Sequence, residues 1–349
     1  MTRLRELLGC GLLALSMSAA GATVLTYATP YGPNHPFSRA DKAWMAWVAE
    51  KSGGSLTIRP IWSGGLISSD QSLIELRHGV ADIGLITPIY AHGGAHLLRV
   101  QTGFYAGAKT FEQQVDMYRC LAADSPEYAR ELRGLRVLAI QGGTLPGLLS
   151  RTREVRTLGD LKGMRIRVPT ELLNVMRDLG ADPVTMPMGE VYSSLAKGVL
   201  DAVVAPADTL KSLHFGEVAK NYTELQVPRG AYPARAMGER RWNALNPEEQ
   251  QLLEASTPIW EAAMAKETRA AVQSGEAEGR AQQVQFIPVN ASDQKRFDEL
   301  YEEDASRSAD LLSRIGIDGT AVFRDARQIA QGIRQTGSVK CARRADATT

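Results

Sequence analysis

Residues 160 to 206, DLKGMRIRVPTELLNVMRDLGADPVTMPMGEVYSSLAKGVLDAVVAP, leave the chain little choice of fold. Met164 to Val168 alternates apolar and charged residues as a half-buried strand does, and Pro169, which has no amide hydrogen, stops it. From Glu171 to Leu179 the apolar positions Leu172, Leu173, Val175, Met176 and Leu179 keep the period of a half-buried helix, which Gly180 closes. Asp182 to Met186 predicts a second strand, Gly189 to Lys197 a second helix and Leu200 to Val204 a third strand. Connections this short between alternating strands and helices imply a compact α/β domain.

Arg167 sits at the C-terminal end of the first of these strands. Open α/β sheets take ligands at that end, and a planar, permanently charged guanidinium suits a carboxylate through two parallel hydrogen bonds. The competing reading is a surface strand residue paired with Glu171 or Glu190.

The same stretch resembles the signature region of the DctP-type solute-binding proteins of TRAP (tripartite ATP-independent periplasmic) transporters. The likeness rests on Asp160 to Pro169, on Leu179 to Tyr192 with Pro183 and Pro187 in place, and on Leu195 to Asp201. The opening of the chain is similar too, with a strand at Val24 to Ala28, a Pro/Gly/Asn-rich loop from Thr29 to Pro36, a helix from Phe37 to Lys51, Ser52-Gly53-Gly54, and a strand at Leu56 to Trp62. Gly79, Asp82 and Gly84 fit the family's G-x-x-D-x-G around a strand at Ala81 to Ile86. The resemblance implies an α/β, two-lobed periplasmic binding protein fold with hinge crossings and a long helix spanning both lobes. It also implies capture of a small organic acid, with Arg167 as the carboxylate clamp, and delivery to TRAP membrane permease subunits. Most proteins of this type are monomers, a minority dimerising through an exchanged C-terminal helix, so a monomer is the expectation.

Departures from the family bear on the ligand. A polar residue of sialic acid and keto acid binders, about twenty positions before the arginine, falls here on Pro146 or Gly147, and a polar or aromatic triplet after the third strand is Val204-Ala205-Pro206. Burying an unpaired polar group against an apolar wall costs roughly 1–3 kcal/mol. An aliphatic or aromatic monocarboxylate is therefore expected in preference to a sugar acid or dicarboxylate. Thr87 and Tyr90 end the third strand, Tyr31 lies in the first loop, and Gln141 and Tyr232 stand at the two crossings; with Pro146 and Ala205 they complete the candidate ligand-binding set. Met186, Met188 and Tyr192 offer either an apolar wall or core packing, and Asp208 either a partner for a ligand amine or a helix-start carboxylate.

Arg3 and Arg5, the apolar stretch Leu7 to Ala20 and the small residues Ala20-Gly21-Ala22 read as an export signal cleaved after Ala22, since the run falls short of the roughly 20 residues that span a bilayer. A periplasmic location follows. Of 40 basic and 39 acidic residues, the signal removes Arg3, Arg5 and Glu6, which leaves a neutral chain and no concentrated basic face for nucleic acid. Cys120 and Cys341 then remain, either bridged in an oxidising compartment or as two free thiols. Five scattered histidines offer no metal-ligand spacing, and no cofactor is expected. No nucleophile elbow, phosphate loop or dinucleotide motif is visible, so binding is favoured over catalysis. A co-receptor feeding a sensor kinase and an uncharacterised enzyme stay open.

The expected division is residues 1–22 as signal, 23–144 plus about 233–272 as lobe I, 145–232 plus about 273–335 as lobe II, and 336–349 as a tail. Further expectations are a helix from Thr110 to Asp124 capped by Thr110, a strand from Leu135 to Ile140, and a solvated basic loop around Arg151, Arg153 and Arg156. Asp70 should cap a helix reaching His78, and Asp208 to Lys220 should form another. A strand is expected at Glu224 to Pro228, and one helix from Asn246-Pro247 to about Glu278. A strand at Gln283 to Pro288 and helices at Asp293 to Ile315 and Ala321 to Arg334 complete the reading.

Overall fold

The computed structural model describes residues 22–341. The export segment expected over residues 1–22 lies, Ala22 apart, outside the described residues.

Two sheets organise the chain. The first runs in the order β2-β1-β3-β10-β4, from β1 (Thr23–Ala28), β2 (Leu56–Ile61), β3 (Ile83–Leu85), β4 (Leu135–Gln141) and β10 (Tyr232–Gly238). The second runs β11-β9-β5-β8-β6-β7, from β5 (Gly147–Ser150), β6 (Arg165–Arg167), β7 (Asp182–Val184), β8 (Ala202–Ala205), β9 (Asn221–Thr223) and β11 (Gln285–Ile287). β10 lies antiparallel to β3 and β4, and β5 antiparallel to β8 and β9. The chain passes between sheets at 142–146 and again at 224–231.

A third link is the helix Thr257–Ala281. Near its start Trp260 is buried in the first core, stacked on Trp44 of the helix Pro36–Lys51 with ring centres 3.5 Å apart. Near its end small residues let it approach the second lobe: a Cβ on Gly275 would sit 2.3 Å from the Ala207 carbonyl, and one on Gly279 2.7 Å from Leu210.

Several expectations need correction. The helix expected from Asn246 to Glu278 is two, Pro247–Ala255 and Thr257–Ala281, because Pro258 has no amide hydrogen for a helix interior. At the break Ser256 Oγ donates to the Leu253 carbonyl and accepts from Trp44 Nε1. The strand expected at Glu224 to Pro228 is instead β9, three residues earlier, where Asn221 and Thr223 find partners on both β5 and β11. β5, unexpected, is four buried residues with no alternation to read. Asp208 to Lys220 splits into Thr209–Ser212 and Phe215–Val218, with His214 between them at φ 59°. Asp70 does not cap the next helix, which starts at Ser72; its carboxylate faces His92 at 3.2 Å.

The Thr110 cap holds as a reciprocal box with Gln113, and Asn246 builds another with Glu249. Residues 291–336 do not all sit on the second sheet. Phe297, Leu300 and Tyr301 of the helix Ala291–Ser313 enter a core of the second lobe. Ala309 and Leu312, and then Val322, Ala326 and Ile329 of the helix Gly319–Thr336, pack into the core of the first. Cys341 is disulfide-bonded to Cys120 on the helix Phe111–Asp124, which resolves the alternative left open above and ties the tail down.

Candidate functional site

A cavity of about 120 Å³ lies between the sheets, where strand ends and crossing segments meet. One water needs roughly 10–15 Å³ by that measure, so there is room for a small organic molecule. Its apolar lining includes Phe37, Ile89, Pro146, Met188, Val204 and Val227.

Arg167 reaches it from the end of β6 and is only 3% exposed. Its Nε donates to the Met186 carbonyl at 3.0 Å and its Nη2 to the Tyr90 hydroxyl at 2.6 Å, with the guanidinium 5.8 Å from the Tyr90 ring centre. Among the described residues no ion pair joins Arg167 to Glu171 or Glu190. These bonds hold the side chain in place while leaving Nη1 and part of Nη2 for a ligand anion, the fork geometry that recognises carboxylates.

Of the other candidates, Tyr31, Thr87, Tyr90, Pro146 and Tyr232 all line the cavity. Tyr31 stacks on His35, ring centres 4.0 Å apart, and burial pushes the pKa of its hydroxyl far above the ordinary range, so it stays a neutral phenol. The Thr87 hydroxyl is committed to the Ser69 carbonyl. Gln141 and Ala205 are corrections. Gln141 is wholly buried behind the wall, bonded to Tyr232 and Arg235. Ala205 faces the core of the second sheet, because neighbouring strand residues alternate sides; its neighbours Val204 and Pro206 line the cavity instead. Met188 lines the wall as well. Tyr192 is exposed, its hydroxyl donating to Glu217.

Three polar residues in the wall, Arg229, Glu171 and His35, were not expected as ligand contacts, and they stand with Asp208, which was weighed as one. Arg229, on the return crossing, lines the cavity and packs over Gly143, where a Cβ would come within 2.5 Å of its guanidinium carbon. Glu171 follows Arg167 on the next turn; burial raises its carboxyl above the ordinary range, and its Oε2 has no hydrogen-bond partner. Asp208, of the two roles weighed for it, takes a place in the wall, where burial pushes its carboxyl up to about 6 against the pull of the Ser212 hydroxyl and Arg229. Burial, with Arg235 and Arg39 nearby, lowers His35 to about 3, so its imidazole is neutral, with Nδ1 accepting from the Phe37 amide. Arg229 and Glu171 flank residues that periodicity did mark, but only their position in space aims them inward.

Among the described residues no group of three or more His, Cys, Asp or Glu could hold a metal ion, and no helix is long and apolar enough to cross a membrane.

Residues 27–310 match the family described as bacterial extracellular solute-binding protein, family 7 (DctP). A monocarboxylate 2-oxoacid-binding periplasmic protein of Nostoc sp. is 27% identical over 279 residues, 75% of this chain and 74% of that protein. The TRAP solute-binding protein of Rhodoferax ferrireducens in complex with copurified benzoate superposes with a TM-score of 0.82 at 20% identity, covering 91% of this chain and 100% of that one. That of Bordetella bronchiseptica with bound (R)- and (S)-mandelate gives 0.74 at 20% identity, over 89% and 99%.

Proposed function

The chain belongs to the DctP family of TRAP transporter solute-binding proteins, and from that premise we propose that it captures a small monocarboxylate in the periplasm and passes it to membrane permease subunits. The observation that carries this reading is the seating of Arg167. A buried guanidinium, braced by Tyr90 and Met186, opens into a cavity whose remaining wall is rich in Phe37, Ile89, Met188, Val204 and Val227. An anionic head with an aliphatic or aromatic body matches that division. The hinge crossings let the lobes close on such a solute, and closure strengthens the ion pair by excluding water. That relatives of the same fold hold benzoate and mandelate supports the same class.

Native mass spectrometry of the protein purified from periplasm, with identification of any molecule released on denaturation, tests this directly. An organic monocarboxylate that is absent from Arg167→Ala bears the proposal out. A sugar acid, or an acid retained without Arg167, overturns it. Calorimetric titration should find the Arg167→Ala variant weaker by roughly 2–5 kcal/mol, the usual loss for one partner of a buried charge pair.

A further inference from the structure

Two arginines line the cavity, and their surroundings differ. Arg167 is braced by Tyr90 and Met186. Arg229 has no such brace: among the described residues it forms no hydrogen bond and no ion pair. Yet a guanidinium carries five N–H donors, and the carboxyls of Glu171 and Asp208 belong to the same wall.

Shape holds Arg229 where it is. Gly143, on the crossing at 142–146, presents a bare Cα to the guanidinium. A Cβ there would stand 2.5 Å from Arg229 Cζ and 2.7 Å from Nε and Nη1. No real side chain approaches so closely, so the planar group rests where only glycine leaves room. Gly143 does not have a positive φ, and its missing side chain therefore answers to space and not to backbone strain. The glycine is also the fixed partner. Its amide donates to Gln114 Oε1 at 2.7 Å, and a Cβ on the preceding Gly142 would lie 2.9 Å from the Phe111 carbonyl oxygen.

The return crossing is pinned as well. The Val227 amide donates to the Pro146 carbonyl at 3.0 Å, which ties the two crossings together. Gly230 lies against Thr102, another residue of the wall, with a would-be Cβ 2.6 Å from the Thr102 Cα. Arg229 and Gly143 stand on different crossings, so the seat belongs to the hinge and not to either lobe.

We propose that Arg229 is a second anion-binding residue, seated on Gly143, so that the solute's carboxylate is gripped from the second lobe by Arg167 and from the hinge by Arg229. This rests on the monocarboxylate reading above and deepens it. A cavity of about 120 Å³ keeps a bound carboxylate close to both guanidinium groups, and its apolar walls leave their attraction little screened.

The test is calorimetry on the mature protein, freed of bound solute by unfolding and refolding with the disulfide intact. Benzoate, phenylacetate and 4-methylpentanoate are the probes. Arg229→Gln should weaken the acid that binds the wild type best by about tenfold to a hundredfold, the weight of hydrogen bonds to a charged group. Arg229→Lys, which keeps the charge and loses the fork, should recover part of that loss. Gly143→Ala keeps the arginine but pushes its guanidinium off the seat, and should weaken the same acid about tenfold. Added to Arg229→Gln, it should cost nothing further, because the group it displaces is already gone. A merely structural role for Gly143 would make the two losses multiply. The inference falls, with monocarboxylate binding intact, if an acid binds in an Arg167-dependent way and Arg229→Gln binds it as the wild type does. It falls equally if the lysine variant binds no better than the glutamine variant, or if the two losses multiply. If no acid of the panel binds the wild type, the inference and the reading beneath it fall together.

Discussion

Arg167 and Tyr90 meet across the cleft: Nη2 of the first, on the second sheet, donates at 2.6 Å to the hydroxyl of the second, just beyond β3 of the first sheet. Thr170 Oγ1, donating to the Ile89 carbonyl at 3.3 Å, adds a neighbouring link. Bonds between lobes that hinge at two crossings exist only in the closed arrangement. Tyr90→Phe keeps the ring near the guanidinium and deletes the bond. We expect acid affinity to fall roughly tenfold, the usual weight of one hydrogen bond to a charged group. Small-angle scattering should find the ligand-free variant more open than the wild type. Equal affinity and equal radius would show that the bond does not contribute to closure.

Asp208 should make stability fall as pH rises through the mildly acidic range. Burial lifts its carboxyl from 3.8 to about 6, so the folded protein holds this proton more tightly than the unfolded chain. Folding is favoured below the unfolded value, stability is lost between about pH 4 and pH 6, and the deficit persists above. Asp208→Asn should flatten that part of the profile and gain up to roughly 3 kcal/mol at pH 7.5 relative to pH 4. Urea unfolding of both proteins at the two pH values measures it. Parallel profiles would assign the dependence to other groups.

The Cys120–Cys341 bridge spans 221 residues, and a closure that long restricts the unfolded chain strongly. Replacing Cys341 by Ser should cost roughly 2–4 kcal/mol in urea unfolding under oxidising conditions. With reductant present the wild type should unfold at the variant's midpoint. If the midpoint does not move in either experiment, the bridge holds only the tail.

At Gly275 the 257–281 helix lies hard against the second lobe, with a would-be Cβ 2.3 Å from the Ala207 carbonyl and 2.6 Å from the Asp208 Cα. These are backbone atoms and cannot rotate aside. Gly275→Ala should destabilise by roughly 1–3 kcal/mol, as overpacking does, and weaken ligand binding by moving Asp208 in the cavity wall. Gly332→Ala, where a Cβ meets open space, is the control and should leave binding unchanged.

Local chemistry made much of this readable beforehand. The Val168-Pro169 stop places Arg167 at a strand end, and Thr110 as a cap and Asn246 followed by Pro247 announce their helix starts, to which the structure adds the reciprocal bonds with Gln113 and Glu249. The short buried β5 is different: Gly-Leu-Leu-Ser has no alternation, and becomes a strand because β8 and β9 offer it pairing partners. β9 likewise sits at Asn221–Thr223, where the neighbours are, and not three residues on, where the apolar pattern is stronger.

The site divides along the same line. From sequence alone came the two-lobed α/β expectation, through alternating elements and a family signature, and a single guanidinium at a strand end. Tertiary structure decided that Gln141 stands behind the wall and not in it, that Ala205 turns away while Val204 and Pro206 face the cavity, and that Arg229, Glu171 and Asp208 converge on it. Periodicity reports which side of an element is apolar, because that depends on residues a few positions apart. Which groups share a cavity or a hydrogen-bond chain depends on partners brought together by folding, such as Gln141 and Arg235, 94 positions apart in the chain.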